Sequence, residues 1–160
     1  MTIAIGQSLP DAMVHIKRDG KVVETSLAEW GQDKTVILIA VPGAFTPTCS
    51  EKHLPGYITH ADALKAKGID AIGCLSVNDI YVMAAWGKQS GADGRVDMIA
   101  DANGLAAHAM GIDVVSTPVL GSQRAARLAL VAKSGIVTHI YKEEPAVYEV
   151  SSAEYVLERL

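Results

Sequence analysis

Cys49 and Cys74 are the two residues of this chain with the most reactive side chains, and their separation matches neither a CxxC redox pair nor the ligand spacing of a zinc site. Cys49 closes the octapeptide PGAFTPTC, which begins at Pro42. A thiol attacks as its thiolate, and the positive end of a helix favours that charge. Pro47 fits an early helical position, where no amide donor is wanted, and with Pro42 it stiffens the incoming loop, so a helix is expected to begin at Cys49. Thr46 lies about one turn before the sulfur, close enough for its hydroxyl to share a pocket with it. Such a pocket suits a peroxide, with one oxygen in line with sulfur and the departing oxygen held by donors as charge develops on it. His53, one turn after Cys49, offers a different chemistry, a Cys–His hydrolase dyad, which would need an oxyanion hole and a partner to orient the imidazole. The plainer role for His53 is local hydrogen bonding. His15, His60, His108 and His139 are scattered and complete no metal site. Cys74 stands in an apolar run, where a thiol behaves as a small hydrophobe.

The elements around Cys49 follow from pattern and punctuation. Met13 to Lys17 and Lys21 to Thr25 flank Asp19-Gly20, a hairpin signal, and Ser26-Leu27-Ala28-Glu29 spells a capping box. Thr35 to Val41 is too short and β-branched for a helix and apolar on both faces, as in a central strand that stops at Pro42-Gly43. The helix from Cys49 is expected to be perturbed at Pro55 and to resume over Tyr57 to Lys67. Ile69 to Val77 reads as a strand, Asp79 as the cap of a helix over Ile80 to Lys88, Val96 to Ala100 as a strand, and Asn103-Gly104 as the lead into a short helix to Met110. Leu128 to Ala132 and Ile136 to Tyr141 form a second hairpin, and Ser151-Ser152-Ala153-Glu154 caps a terminal helix. Alternating strands and helices predict an α/β fold, a central mixed sheet with helices on both faces. A reactive cysteine on the first helix after a central strand suits the thioredoxin-like architecture.

The bulk properties narrow the function. The 160 residues fit one domain, 1–160, and no linker or repeat divides them. Composition is 49% hydrophobic and 20% charged with a formal net charge of -4, and no basic run calls for nucleic acid or an anionic membrane. The central apolar run is far shorter than the ~20 residues of a membrane helix. MTIAIGQSLPDAM has neither the basic leader nor the hydrophobic core of a signal peptide, so a cytoplasmic or similarly reducing compartment is expected.

PGAFTPTC followed by SEKHLPGY resembles the type II (type V, atypical) peroxiredoxins, whose loop has the form Pro-x-x-x-Thr-x-x-Cys. The resemblance runs on through CLSVND, Ala85-Trp86 and LGSQRAARLAL, and so covers nearly the whole chain. It implies a thiol peroxidase in which Cys49 is the peroxidatic nucleophile, Thr46 orients the peroxide and Pro42 shields the sulfur. Arg127 would stand against the sulfur and bind peroxide oxygens. Arg124 lies in the same segment, but Arg127 abuts the apolar strand start as the family's arginine does. The family usually has Phe where this chain has Leu128. No cofactor or metal is implied; the implied partners are a hydroperoxide, glutaredoxin with glutathione or else thioredoxin, and a second copy in a homodimer with Phe45 and Trp86 as apolar contacts. Some relatives carry a resolving cysteine near the C-terminus, where this chain reads EVSSAE from Glu149, so a one-cysteine cycle is expected. A redox sensor or holdase using oxidised Cys49 is the non-enzymatic alternative.

Overall fold

The chain first reverses at Asp19-Gly20. Both residues take positive φ, 51° and 77°, the left-handed backbone that a two-residue hairpin turn demands, and β1 (Met13–Arg18) pairs antiparallel with β2 (Lys21–Ser26). Ser26 accepts the Glu29 amide at 3.1 Å and so caps α1 (Leu27–Trp30). There follow β3 (Thr35–Ala40), a helical segment interrupted into α2 (Leu54–Thr59) and α3 (Ala61–Ala66), β4 (Ala71–Ser76), α4 (Ile80–Ser90) and β5 (Asp97–Ala100). After α5 (Leu105–Ala109) come β6 (Asp113–Val115), β7 (Gln123–Ala125), β8 (Leu128–Lys133), β9 (Ile136–Lys142) and α6 (Ala153–Leu157). The computed structural model describes residues 1–115, 118–121 and 123–160; Ser122, inside LGSQRAARLAL, lies outside them.

Among the described residues, seven strands make one mixed sheet in the order β2-β1-β5-β4-β3-β8-β9, with β3, β4 and β5 parallel to one another and the rest antiparallel. β6 and β7 form a separate ribbon that the apolar pattern did not announce, since three-residue strands are too short to show a period. Because strand side chains alternate in direction, β3 feeds two cores at once. Ile37, Ile39 and Val41 pack with residues of α2, α3, α4 and α6, whereas Val36, Leu38 and Ala40 pack with α1 and α5 on the other face. Helices therefore cover both faces, and β3, the strand that delivers Cys49, is buried in the sheet's interior.

Gly73 shows how tightly the second core closes. A Cβ built there would lie 2.6 Å from Ile99 Cδ1 and 2.7 Å from the Trp30 ring, so only glycine lets α1 sit down on the central strand beside Cys74. The stretch expected as one helix over Tyr57 to Lys67 breaks at His60, which closes α2 and opens α3.

Candidate active site

The loop that leaves β3 is held from both ends before it reaches Cys49. Val41 donates its amide to Leu75 O at 3.0 Å, and Ala44 donates to Asn78 Oδ1 at 3.0 Å, an oxygen that also accepts the Ser76 hydroxyl. Pro42 stands half-buried at the start of this loop. Phe45 takes φ 63°, a conformation bulky residues adopt at a cost of about 1–3 kcal/mol, and so turns the chain into Thr46. Thr46 Oγ donates to Gly43 O at 2.7 Å. With its proton committed there, the hydroxyl turns lone pairs outward, so toward a peroxide O–H it acts as acceptor rather than donor.

The helix begins at Pro47, before the expected start at Cys49, which places Cys49 within the first turn. From Cys49 to His53 the helix is π-type, with Leu54 N–H bonded to Cys49 O five residues back. Pro55 is the local reason: it lacks the amide that would extend a regular ladder, and the widened turn absorbs the mismatch.

Arg127, in the residues just before β8, lies between the two side chains of this turn. Its Nη2 donates to Cys49 Sγ at 3.1 Å and its Nη1 donates to His53 Nδ1 at 2.9 Å. His53 Nε2 lies 3.1 Å from Ser151 O, so the ring carries its proton on Nε2 and accepts on Nδ1. Burial foremost, and then the positive charge of Arg127, push the His53 pKa down to about 3. A neutral imidazole with both nitrogens engaged elsewhere is not a base for Cys49, and the hydrolase dyad is set aside on that ground. Tyr148 closes the group from the other side, its ring edge-on to His53 at 5.3 Å and 6.0 Å from the Arg127 guanidinium carbon.

The two arginines do different work. Arg124 donates to Leu120 O and Val77 O, each at 3.0 Å, and its Nη1 lies 3.5 Å from where a Gly43 Cβ would be, so it clasps the loop rather than the sulfur. Cys49 is completely buried, and Cys74 shares its apolar cluster. Burial, reinforced by the charge Cys49 can carry, pushes the Cys74 thiol far up. Trp86, expected as a contact for a second copy, is 1% exposed and donates to Ser50 Oγ at 3.1 Å, while Phe45 beside it is 47% exposed. Ser151 and Glu143 carried no signal of a place near the site. The capping-box spacing from Ser151 to Glu154 points to Ser151 as the cap of α6, but Ser152 is the cap, accepting the Tyr155 amide, which leaves Ser151 to face Glu143 and His53.

Comparison with known proteins converges on one family. Residues 4–157 match the Redoxin family model. Peroxiredoxin-2E-2, chloroplastic, of Oryza sativa subsp. japonica is 43% identical over 99% of this chain and 73% of its own length. Peroxiredoxin-2B of Arabidopsis thaliana is 40% identical over 99% and 98%. Among solved structures, reduced Prx3 of Vibrio vulnificus in complex with hydrogen peroxide superposes with a TM-score of 0.94 at 43% identity, covering 99% of each chain.

Proposed function

The chain belongs to the redoxin family as a peroxiredoxin and is a thiol-dependent peroxidase of thioredoxin-like fold, and from that premise we propose how its residues divide the reaction and its regeneration. The observation that carries the proposal is the Arg127 guanidinium, 3.1 Å from Cys49 Sγ through Nη2 and anchored through Nη1 on His53. A guanidinium at that distance donates to the attacking sulfur and leaves further N–H donors for peroxide oxygens. Thr46 Oγ accepts the hydroxyl of the oxygen under attack and fixes its direction. The thiolate attacks that oxygen; the S–O bond forms as the O–O bond breaks, leaving Cys49 as sulfenic acid and releasing alkoxide or hydroxide, which takes a proton to leave as alcohol or water. Pro42 shields the sulfur from bulk water at the head of the loop.

Regeneration proceeds by a one-cysteine cycle. An external thiolate attacks the sulfenic sulfur and expels water, and a second thiol releases Cys49 from the mixed disulfide. Glutathione with glutaredoxin is the proposed reductant and thioredoxin the competitor, in a cytoplasmic or similarly reducing compartment. The burial and raised pKa of Cys74 support this cycle, because a thiol so disfavoured as thiolate is a poor resolving nucleophile. A homodimer through the Phe45 side of the active-site loop fits the exposure of that ring, with Trp86 as the buried support beneath it. Sedimentation of the wild type against Phe45→Glu tests the dimer, which the charge should dissociate.

The deciding experiment follows peroxide consumption with each reductant system in turn and maps the thiols by mass after one equivalent of peroxide. Wild type turns over with glutathione and glutaredoxin, Cys49→Ser does not, and without reductant Cys49 gains oxygen while Cys74 stays reduced. A stoichiometric Cys49–Cys74 crosslink, or a Cys74→Ser variant that cannot turn over, would refute the one-cysteine cycle.

A further inference from the structure

Behind Arg127 and His53 lies a buried polar ring that the reaction so far leaves unused. Glu143, 7% exposed, follows β9 directly, and its carboxylate accepts the amides of Glu149, Val150 and Ser151 and the Ser151 hydroxyl, the last at 2.7 Å. Its own amide donates to Arg127 O at 3.0 Å. One residue thus ties together the backbone of Arg127 and the turn that presents Ser151 O. That carbonyl accepts from His53 Nε2 at 3.1 Å and from Tyr57 OH at 2.7 Å.

The geometry points to Glu143 as a positioning residue of the peroxidase: by capping the Glu149–Ser151 turn it fixes Ser151 O, which selects the His53 tautomer that holds Arg127 against Cys49. The chain of causes is directional. An acceptor at Nε2 puts the imidazole proton there and leaves a lone pair at Nδ1, the only state that can receive an Arg127 N–H. If Ser151 O drifts away, the proton is free to move to Nδ1, where it would meet a guanidinium N–H donor to donor. Arg127 would then rotate, and its second nitrogen would lose the sulfur. An ionised carboxylate suits the turn because it is acceptor-only, as converging amide and hydroxyl donors require. Hydrogen bonds from that turn outweigh the burial that would raise Glu143, and hold its carboxyl below the ordinary range.

The inference rests on the peroxidase reading, but its central observable, the His53 tautomer, is read by long-range proton–nitrogen NMR on the reduced wild-type protein without peroxide. The expected result is the Nε2–H form alone; a proton on Nδ1 overturns the inference whatever any variant does. Glu143→Gln keeps the size but turns an amide NH2 toward the amides of the turn. It should slow Cys49 oxidation by about tenfold or more, with unchanged circular dichroism and a mixture of His53 tautomers. In a His53→Leu background the same substitution should change the rate by less than about twofold, since the relay is already cut. A wild-type rate in Glu143→Gln, or a loss undiminished in the His53→Leu background, overturns the relay. Should Glu143→Gln not fold, Glu143→Asp, which keeps the charge but draws the carboxylate back by one methylene, should give the same tautomer mixture and slowed oxidation, and a wild-type tautomer and rate there overturn the relay.

Discussion

At the scale of single residues, the proposed reaction separates groups that would touch the reacting atoms from groups that would aim them. Thr46 presents lone pairs because Gly43 O holds its proton, so removing the hydroxyl removes an acceptor for peroxide while leaving the loop's amide contacts in place. Thr46→Val should therefore slow Cys49 oxidation by about 10²-fold, by analogy with loss of one oriented hydrogen-bonding group at a transition state, while keeping the fold at a cost of about 1 kcal/mol for the lost bond to Gly43 O, and Thr46→Ser should cost little. Stopped-flow oxidation of the three proteins is the measurement, and equal rates for Val and Thr would remove the hydroxyl from the reaction. Arg127→Lys should lose far more than its conserved charge suggests, because an ammonium cannot span Cys49 Sγ and His53 Nδ1 together as the fork does. Arg124→Lys should lose less, since among the described residues Arg124 donates to the Leu120 and Val77 carbonyls and not to Cys49. Ultraviolet titration of the thiolate beside the oxidation rate separates the two arginines; a greater loss at Arg124 would reverse their roles.

At the scale of elements, what was legible was whatever depends on a few consecutive residues. Asp19-Gly20 and Ser134-Gly135 are hairpin turns with positive φ at both positions, and Ser26 and Asp79 cap helices as their neighbours suggest. The π-turn at Cys49–His53 was visible only as a disturbance at Pro55, since a missing amide says where a ladder fails and not how the chain accommodates it. Gly73 was silent in the sequence, a glycine in an apolar run, until Trp30 and Ile99 closed over it. Gly73→Ala should destabilise the fold by about 1–3 kcal/mol through overpacking, read as a lower urea midpoint at unchanged slope. A midpoint equal to wild type would mean that Trp30 withdraws freely, and that α1 is not clamped to the sheet.

At the scale of the whole molecule, burying a neutral imidazole ties stability to pH. His53 takes a proton near pH 6.5 when unfolded but only near about 3 when folded, so below 6.5 the unfolded state binds more protons. Stability is then fully present above pH 6.5 and is lost as pH falls toward 3, with a limiting slope of about 1.4 kcal/mol per pH unit. Glu143, held below its ordinary range, adds a loss of the same sign in the carboxylate range, while Asp101, raised by burial, opposes it there. The interval from pH 6.5 to 5 therefore belongs chiefly to His53. Urea midpoints should decline across it in the wild type and flatten in His53→Asn; a wild-type midpoint constant from pH 7 to 5 would contradict the buried neutral histidine.

The octapeptide ending at Cys49, the cap and turn residues and the β-branched run of β3 were enough to determine the class of fold and to single out Cys49 as the candidate nucleophile. These features act over one turn or one strand, within reach of the chain's own neighbours. What only the tertiary structure decided was the company Cys49 keeps. Arg127 reaches the sulfur across 78 positions and Ser151 reaches His53 across 98, distances in sequence over which no local preference operates. Arg127 meets Cys49 because β8 lies beside β3 in a fixed antiparallel register, Ala40 opposite Leu128, which sets Arg127 at the end of the strand that feeds the loop. The sheet's hydrogen bonding specifies that alignment to the residue, and a slip of one position would turn Leu128 and its neighbours to the opposite face and carry Arg127 away from Cys49.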